Sequence, residues 1–154
     1  MIFKCKMCGG SLTVENGQNV ATCEYCGSEQ TIPSADDEKK VNLYNRANNF
    51  RIKNDFDQAL LVYQLISNEF PSDAEAYWGI CLCKYGIEYV DDYKTGKKVP
   101  TCHRTLFDSI YSDSDYLEAI KNADVVARRL YQSEAAEIER LQKNILMISK
   151  QEEL

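Results

Sequence analysis

The sequence predicts a mainly α protein with a small β unit at its N-terminus, and three observations predict it. Two C-x-x-C pairs, each followed by glycine, fall within the first 33 residues. From Val41 onward, apolar residues recur at three- and four-residue spacing among good helix formers. Within that region, Lys40 to Asp73 carries small and aromatic residues at the positions of a 34-residue paired-helix repeat.

Residues 1–33 hold four of the seven cysteines, as Cys5-Lys6-Met7-Cys8 and Cys23-Glu24-Tyr25-Cys26, with Gly9 and Gly27 directly after the pairs. Zinc requires four soft, deprotonated ligands in a tetrahedron, and two such turns each deliver two sulfurs from one tight loop. Glycine follows because the loop aims its amides at sulfur and then needs a positive φ. Ser11–Val14 and Val20–Thr22 read as short strands joined by a hairpin turn at Asn16-Gly17. The segment therefore reads as a zinc ribbon holding one structural Zn2+ through Cys5, Cys8, Cys23 and Cys26. Two disulfides or a redox pair are the competing readings. The first is opposed by the lack of an export signal, the second by the lack of a strand–helix context. Four thiolates close the coordination sphere and leave no place for a catalytic water. With little apolar residue content of its own, the ribbon is expected to draw most of its folding energy from the metal.

Residues 34–40, Ser-Ala-Asp-Asp-Glu-Lys-Lys, read as a linker in which Ser34 or Asp36 caps the next helix. Residues 41–154 read as a tetratricopeptide-like helical domain. Ala47 and Phe50 take the small and aromatic positions of its first helix. Asn54-Asp55-Phe56-Asp57 forms the turn, Ala59 and Tyr63 serve the second helix, and Pro71 closes the unit. A further helix over Asp73–Tyr85 is apolar all round at its middle, as a helix buried between neighbours should be. Its partner is displaced: Asp55-Phe56-Asp57-Gln58-Ala59-Leu60 is echoed by Asp115-Tyr116-Leu117-Glu118-Ala119-Ile120 sixty residues later. The intervening insertion, at about 86–114, reads as a hairpin of Ile87–Val90 and Lys97–Thr101 about a polar turn, and as the interaction surface. Two closing helices are expected over Tyr116–Tyr131 and Glu134–Ile148.

Cys81 and Cys83 sit two apart on a helix and point to different faces. They read as packing residues. The alternative is a second metal site joining one of them to Cys102 and His103.

The net charge is −6, from 24 acidic and 18 basic residues without a basic stripe, which argues against nucleic acid as the partner. No apolar run is long enough to span a bilayer and no secretory signal is visible, so the expected location is cytoplasmic, away from membranes. One histidine and no phosphate-cradling loop leave no catalytic constellation, so no enzyme is expected.

The run from the ribbon through Ala74-Glu75-Ala76-Tyr77-Trp78, Tyr85-Gly86-Ile87-Glu88-Tyr89-Val90, Thr95 to Arg104 and Ile148-Ser149-Lys150 resembles the N-terminal region of bacterial Toll/interleukin-1 receptor (TIR) domain proteins. The resemblance covers essentially the whole chain, the insertion being its most specific part. It implies a ribbon and tetratricopeptide-like helices placed before a TIR effector domain that begins after Leu154. It transfers no catalytic residue, since those of the effector would lie outside this sequence. The expected role is a non-catalytic sensor or adaptor module that contacts a protein partner or the effector domain of the same protein, with a homo-oligomer as a further option. The alternative is a nucleic-acid-binding ribbon.

Overall fold

The computed structural model describes residues 2–15, 17–34 and 36–153. Mainly α architecture is observed, with three two-stranded antiparallel sheets attached to the helices. The N-terminal unit contains β1 (Ile2–Lys4), β2 (Ser11–Thr13), β3 (Val20–Thr22) and β4 (Glu29–Thr31).

The strands predicted around Asn16-Gly17 exist, but they do not pair with each other. β1 pairs with β2, matching Phe3 with Leu12, and β3 pairs with β4, matching Ala21 with Gln30. Each C-x-x-C-G turn reverses the chain by itself and so closes its own hairpin. The predicted turn residue Asn16 lies outside the described residues. The two hairpins superpose in sequence at a shift of 18: Ile2↔Thr13 becomes Val20↔Thr31, and Cys5 and Cys8 become Cys23 and Cys26.

The first helix, α1 (Glu38–Ile52), is capped by Asp37, whose side chain accepts from the Lys40 amide at 3.1 Å; neither Ser34 nor Asp36 is the cap. Those two instead hold the Lys40 ammonium, at 2.9 and 3.0 Å, and so tie the preceding segment down. Residues 38–40 accordingly belong to the helix. Asn54, at φ +64°, turns the chain into α2 (Phe56–Glu69), capped by Asp55. Asparagine tolerates this left-handed conformation better than most residues.

The third helix, α3 (Ala74–Lys84), is the apolar one expected, with Trp78, Ile80, Cys81, Leu82 and Cys83 all buried. A methyl group on its Gly79 would lie 2.5 Å from the Tyr63 ring, so glycine here is what lets α2 and α3 approach. Gly86, at φ +58°, ends the helix and feeds the chain directly into the insertion. His103 N donates to Gly86 O at 2.8 Å and Arg104 N to Tyr85 O at 3.1 Å, extending the ladder to the helix end.

The insertion is the predicted hairpin, β5 (Ile87–Asp91) paired with β6 (Lys98–Cys102). A short 3-10 turn at Ile110–Ser112 follows, and then α4 (Ser114–Asn122), capped by Asp113 and packed directly on α3. Lys84 at the end of α3 binds Asp113 at 3.0 Å and also Asp115.

The closing helices differ from expectation. The break falls at Ala123–Asp124, and a single 29-residue helix, α5 (Val125–Glu153), replaces the expected interruption after Tyr131. Asp124 accepts from the Ala127 amide at 2.8 Å and so starts α5, while the polar pair Gln132-Ser133 lies on the exposed face and interrupts nothing. Of the described helices, none is long and apolar enough to cross a membrane.

One hydrophobic cluster runs through all these parts. Trp78 is fully buried, with Tyr131 of α5 and Tyr116 of α4 against it at ring-centroid distances of 5.4 and 6.4 Å. Phe3, Leu12, Val14, Ala21 and Ile32 of the N-terminal unit join the same cluster. The unit thus borrows a core from the helices, which the expectation of metal-supplied folding energy did not include.

Candidate metal centre

The two turns are built alike. Cys5 N donates to Gly10 O at 2.7 Å and Gly9 N to Cys5 O at 2.9 Å; their counterparts, Cys23 N to Ser28 O and Gly27 N to Cys23 O, are 3.0 and 2.9 Å. Gly9 and Gly27 take φ of +81° and +73°, a region where a side chain would be strained. Each turn folds its two cysteines towards a common point between the hairpins.

The four sulfurs of Cys5, Cys8, Cys23 and Cys26 all lie within 4.8 Å of one another. Cys5–Cys26 and Cys8–Cys23, the pairs that bridge the hairpins, are both at 3.7 Å. All seven cysteines are free thiols, and at these separations the sulfurs are not disulfide-bonded. The four cysteines singled out by spacing are therefore brought together at distances that could hold a metal ion.

The surroundings treat the sulfurs unequally and favour the anion at Cys5. Cys5 Sγ accepts from Gln30 Nε2 at 3.0 Å and from the Met7 and Cys8 amides at 3.4 Å. Burial raises this thiol, but those donors outweigh it and hold it down to about 7. Burial pushes Cys8 up to about 12, with the Gly10 amide opposing and the neighbouring Cys5 adding to the rise. Cys26 is likewise raised by burial, against the Ser28 donors. Four sulfurs this close cannot all ionise on their own; a divalent cation supplies the charge that lets them. The donor set fits a tetrahedral, thiolate-binding ion.

Sequence reasoning missed what surrounds the turns. Lys6, between the first two ligands, is 2% exposed. Its ammonium donates to Thr31 Oγ1 at 2.6 Å and to Glu75 Oε1 at 2.9 Å, and the other Glu75 oxygen accepts from the Tyr131 hydroxyl at 2.6 Å. The Lys6 carbonyl accepts from the buried Arg51 guanidinium, while Gln30 Oε1 accepts from the Lys6 amide at 3.2 Å. Asn45 completes the junction along β1, accepting from Lys4 N at 2.8 Å and donating to Ile2 O at 3.2 Å. The only sequence signal was a lysine placed between metal ligands.

The second candidate set is not brought together as a metal site among the described residues. Cys81 and Cys83 are buried, and burial raises both thiols, Cys83 to about 12. His103 is a surface residue with Nε2 2.8 Å from Glu88 Oε1 and its ring against Phe56. Cys102 is raised by burial, with Gln142 opposing. These environments suit packing and not a reactive thiolate. Compared with protein-family models, curated proteins and solved structures, the chain matches none.

Proposed function

We propose that this chain is a non-catalytic protein-interaction module, in which a structural zinc ribbon is locked onto a tetratricopeptide-like body and the insertion meets the partner. The observation that carries the reading is the placement of aromatic rings in the insertion. Tyr93 at the tip of the β5–β6 hairpin and Phe107 in the loop after it are 90% and 89% exposed. Large aromatic side chains held in water by an ordered framework are typical anchors of protein interfaces.

Zinc is supported by the sulfur spacing. A tetrahedron with zinc–sulfur bonds of about 2.3 Å has edges of about 3.8 Å, close to the 3.7 Å seen across both hairpins. Zinc bound there supplies cross-linking and no chemistry, since all four positions are taken. The tetratricopeptide-like reading is supported by the pairing of α1 with α2 and of α3 with α4, the second pair being separated only by the insertion. The resemblance to TIR-domain proteins supports an effector domain as the partner.

Calorimetry and crosslinking of the zinc-loaded chain against a bacterial TIR domain supplied as a separate protein test this. Saturable binding that Tyr93→Ser with Phe107→Ser removes, without change in fold, is the expected result. No contact by either method overturns it, and salt-dependent retardation of DNA or RNA would favour the nucleic-acid reading instead.

A further inference from the structure

On the face of the ribbon turned to α5, a cleft of about 370 Å³ lies where the second cysteine turn, the hairpin and α5 meet. That volume is at the lower end of small-molecule sites, which run from about 300 to 1,000 Å³. Tyr89 and Ile138 form apolar wall, and Glu134 and Glu137 of α5 supply carboxylates. The Tyr89 side chain is 9% exposed, and its hydroxyl has no hydrogen-bond partner among the described residues. Glu134 Oε2 is buried and also without a donor. Burial pushes the Glu134 carboxyl up to about 7; Glu75 and Glu137 add to the rise, Lys6 and Arg51 oppose it. Its counter-charge is thus incomplete.

The hairpin gives the same cleft the opposite sign. Lys97 is exposed and has no ion pair among the described residues, and Lys98 is held by Asp91 at 3.1 Å. One wall therefore carries the two carboxylates of α5, and the other is cationic. A ligand with a single charge would meet repulsion from one wall; a small molecule carrying both charges satisfies both.

We propose that this cleft binds a small zwitterion of the free amino-acid class, its ammonium meeting the carboxylates of Glu134 and Glu137 and its carboxylate facing Lys97. The inference does not rest on the protein-partner reading, because it concerns a different surface from Tyr93 and Phe107 and is measured on this chain alone.

The test is calorimetry of the zinc-loaded chain with the standard L-amino acids one at a time. At least one is expected to bind saturably with Kd at or below about 1 mM, and its N-acetyl and amide derivatives, each lacking one charge, roughly tenfold or more weaker. Glu134→Gln should cost a similar factor, and Glu137→Gln and Lys97→Ala several-fold, with unchanged circular dichroism. Should Glu134→Gln not fold, amide chemical shifts of the unmodified chain decide, with Ser28, Lys97 and Ser133 expected to move. Absence of saturable heat, derivatives that bind as well as the parent, or shifts confined to other surfaces overturn the proposal.

Discussion

Lys6 and Glu75 form an ion pair of 2.9 Å between a cysteine turn and the first turn of α3, with side chains only 3% and 7% exposed. Two buried charges so far apart in sequence are retained only where each is fully hydrogen-bonded. Here Thr31 and Tyr131 complete the arrangement. Removing one member leaves the other charged and buried. Lys6→Ala or Glu75→Ala is therefore expected to cost about 3–5 kcal/mol in chemical denaturation. The pair Lys6→Met with Glu75→Leu should cost clearly less than the sum of the two. Additive losses would show that the charges act independently.

The sulfur cluster predicts one metal per chain. Elemental analysis of protein expressed with zinc should return about one equivalent. That value should survive Cys81→Ala with Cys83→Ala and Cys102→Ser, and should fall strongly on Cys8→Ser. Because Phe3, Leu12 and Ile32 share the helical core, chelation is expected to lower the melting temperature and expose the cysteines to alkylation while α1 to α5 keep their far-ultraviolet dichroism. A complete loss of helix on chelation would show that the metal holds the whole chain together.

Gln30 touches both a ligand and the segment between ligands, donating to Cys5 Sγ at 3.0 Å and accepting from Lys6 N at 3.2 Å. Such supporting partners typically carry a factor of about 10–100 in metal affinity. Gln30→Ala should show that loss in competition with a zinc chelator, at unchanged stoichiometry. Retention of full affinity would assign Gln30 to packing alone.

Glu134 supplies a pH dependence. Its folded-state pKa, about 7, lies above the ordinary 4.5, so the folded chain holds the proton more tightly than the unfolded one. Stability from this group is fully present below about pH 4.5 and is lost as pH rises through about 7. Glu134→Gln should gain on the unmodified chain by about 1–2 kcal/mol between pH 6 and 8.5, the figure being reduced because solvent reaches part of the residue. A difference in unfolding free energy that is flat across this range would contradict the assignment.

Much of this was legible in the sequence for local reasons. The clustering of Cys5, Cys8, Cys23 and Cys26 was, because spacing within a four-residue turn decides where both sulfurs point. Gly86 and the β5–β6 hairpin were, through turn residues and alternation. The strand partners were not, since Asn16-Gly17 is a plausible hairpin turn and only the hydrogen bonds closing each cysteine turn rule that pairing out. The start of α5 was misplaced because a polar Gln132-Ser133 looks like a break until burial shows it facing solvent. Lys6, Arg51 and Glu134 were invisible for a different reason: the meaning of each depends on groups distant in sequence, Thr31 and Glu75 for Lys6, the Lys6 carbonyl for Arg51 and the Glu75 and Lys6 charges for Glu134, and periodicity carries no such information.

The length of α5 has a mechanical consequence. The helix is held from Tyr131, against Trp78 and Glu75, as far as Gln142, which accepts from Leu106 N at 3.1 Å and donates to Arg104 O at 3.0 Å, yet Met147 and Ile148 are 60% and 56% exposed. Ile148 lies six positions beyond Gln142, an overhang of about 9 Å at 1.5 Å per residue. The far end of α5 is thereby a short rigid spur whose direction is set by the segment after the hairpin that grips Gln142.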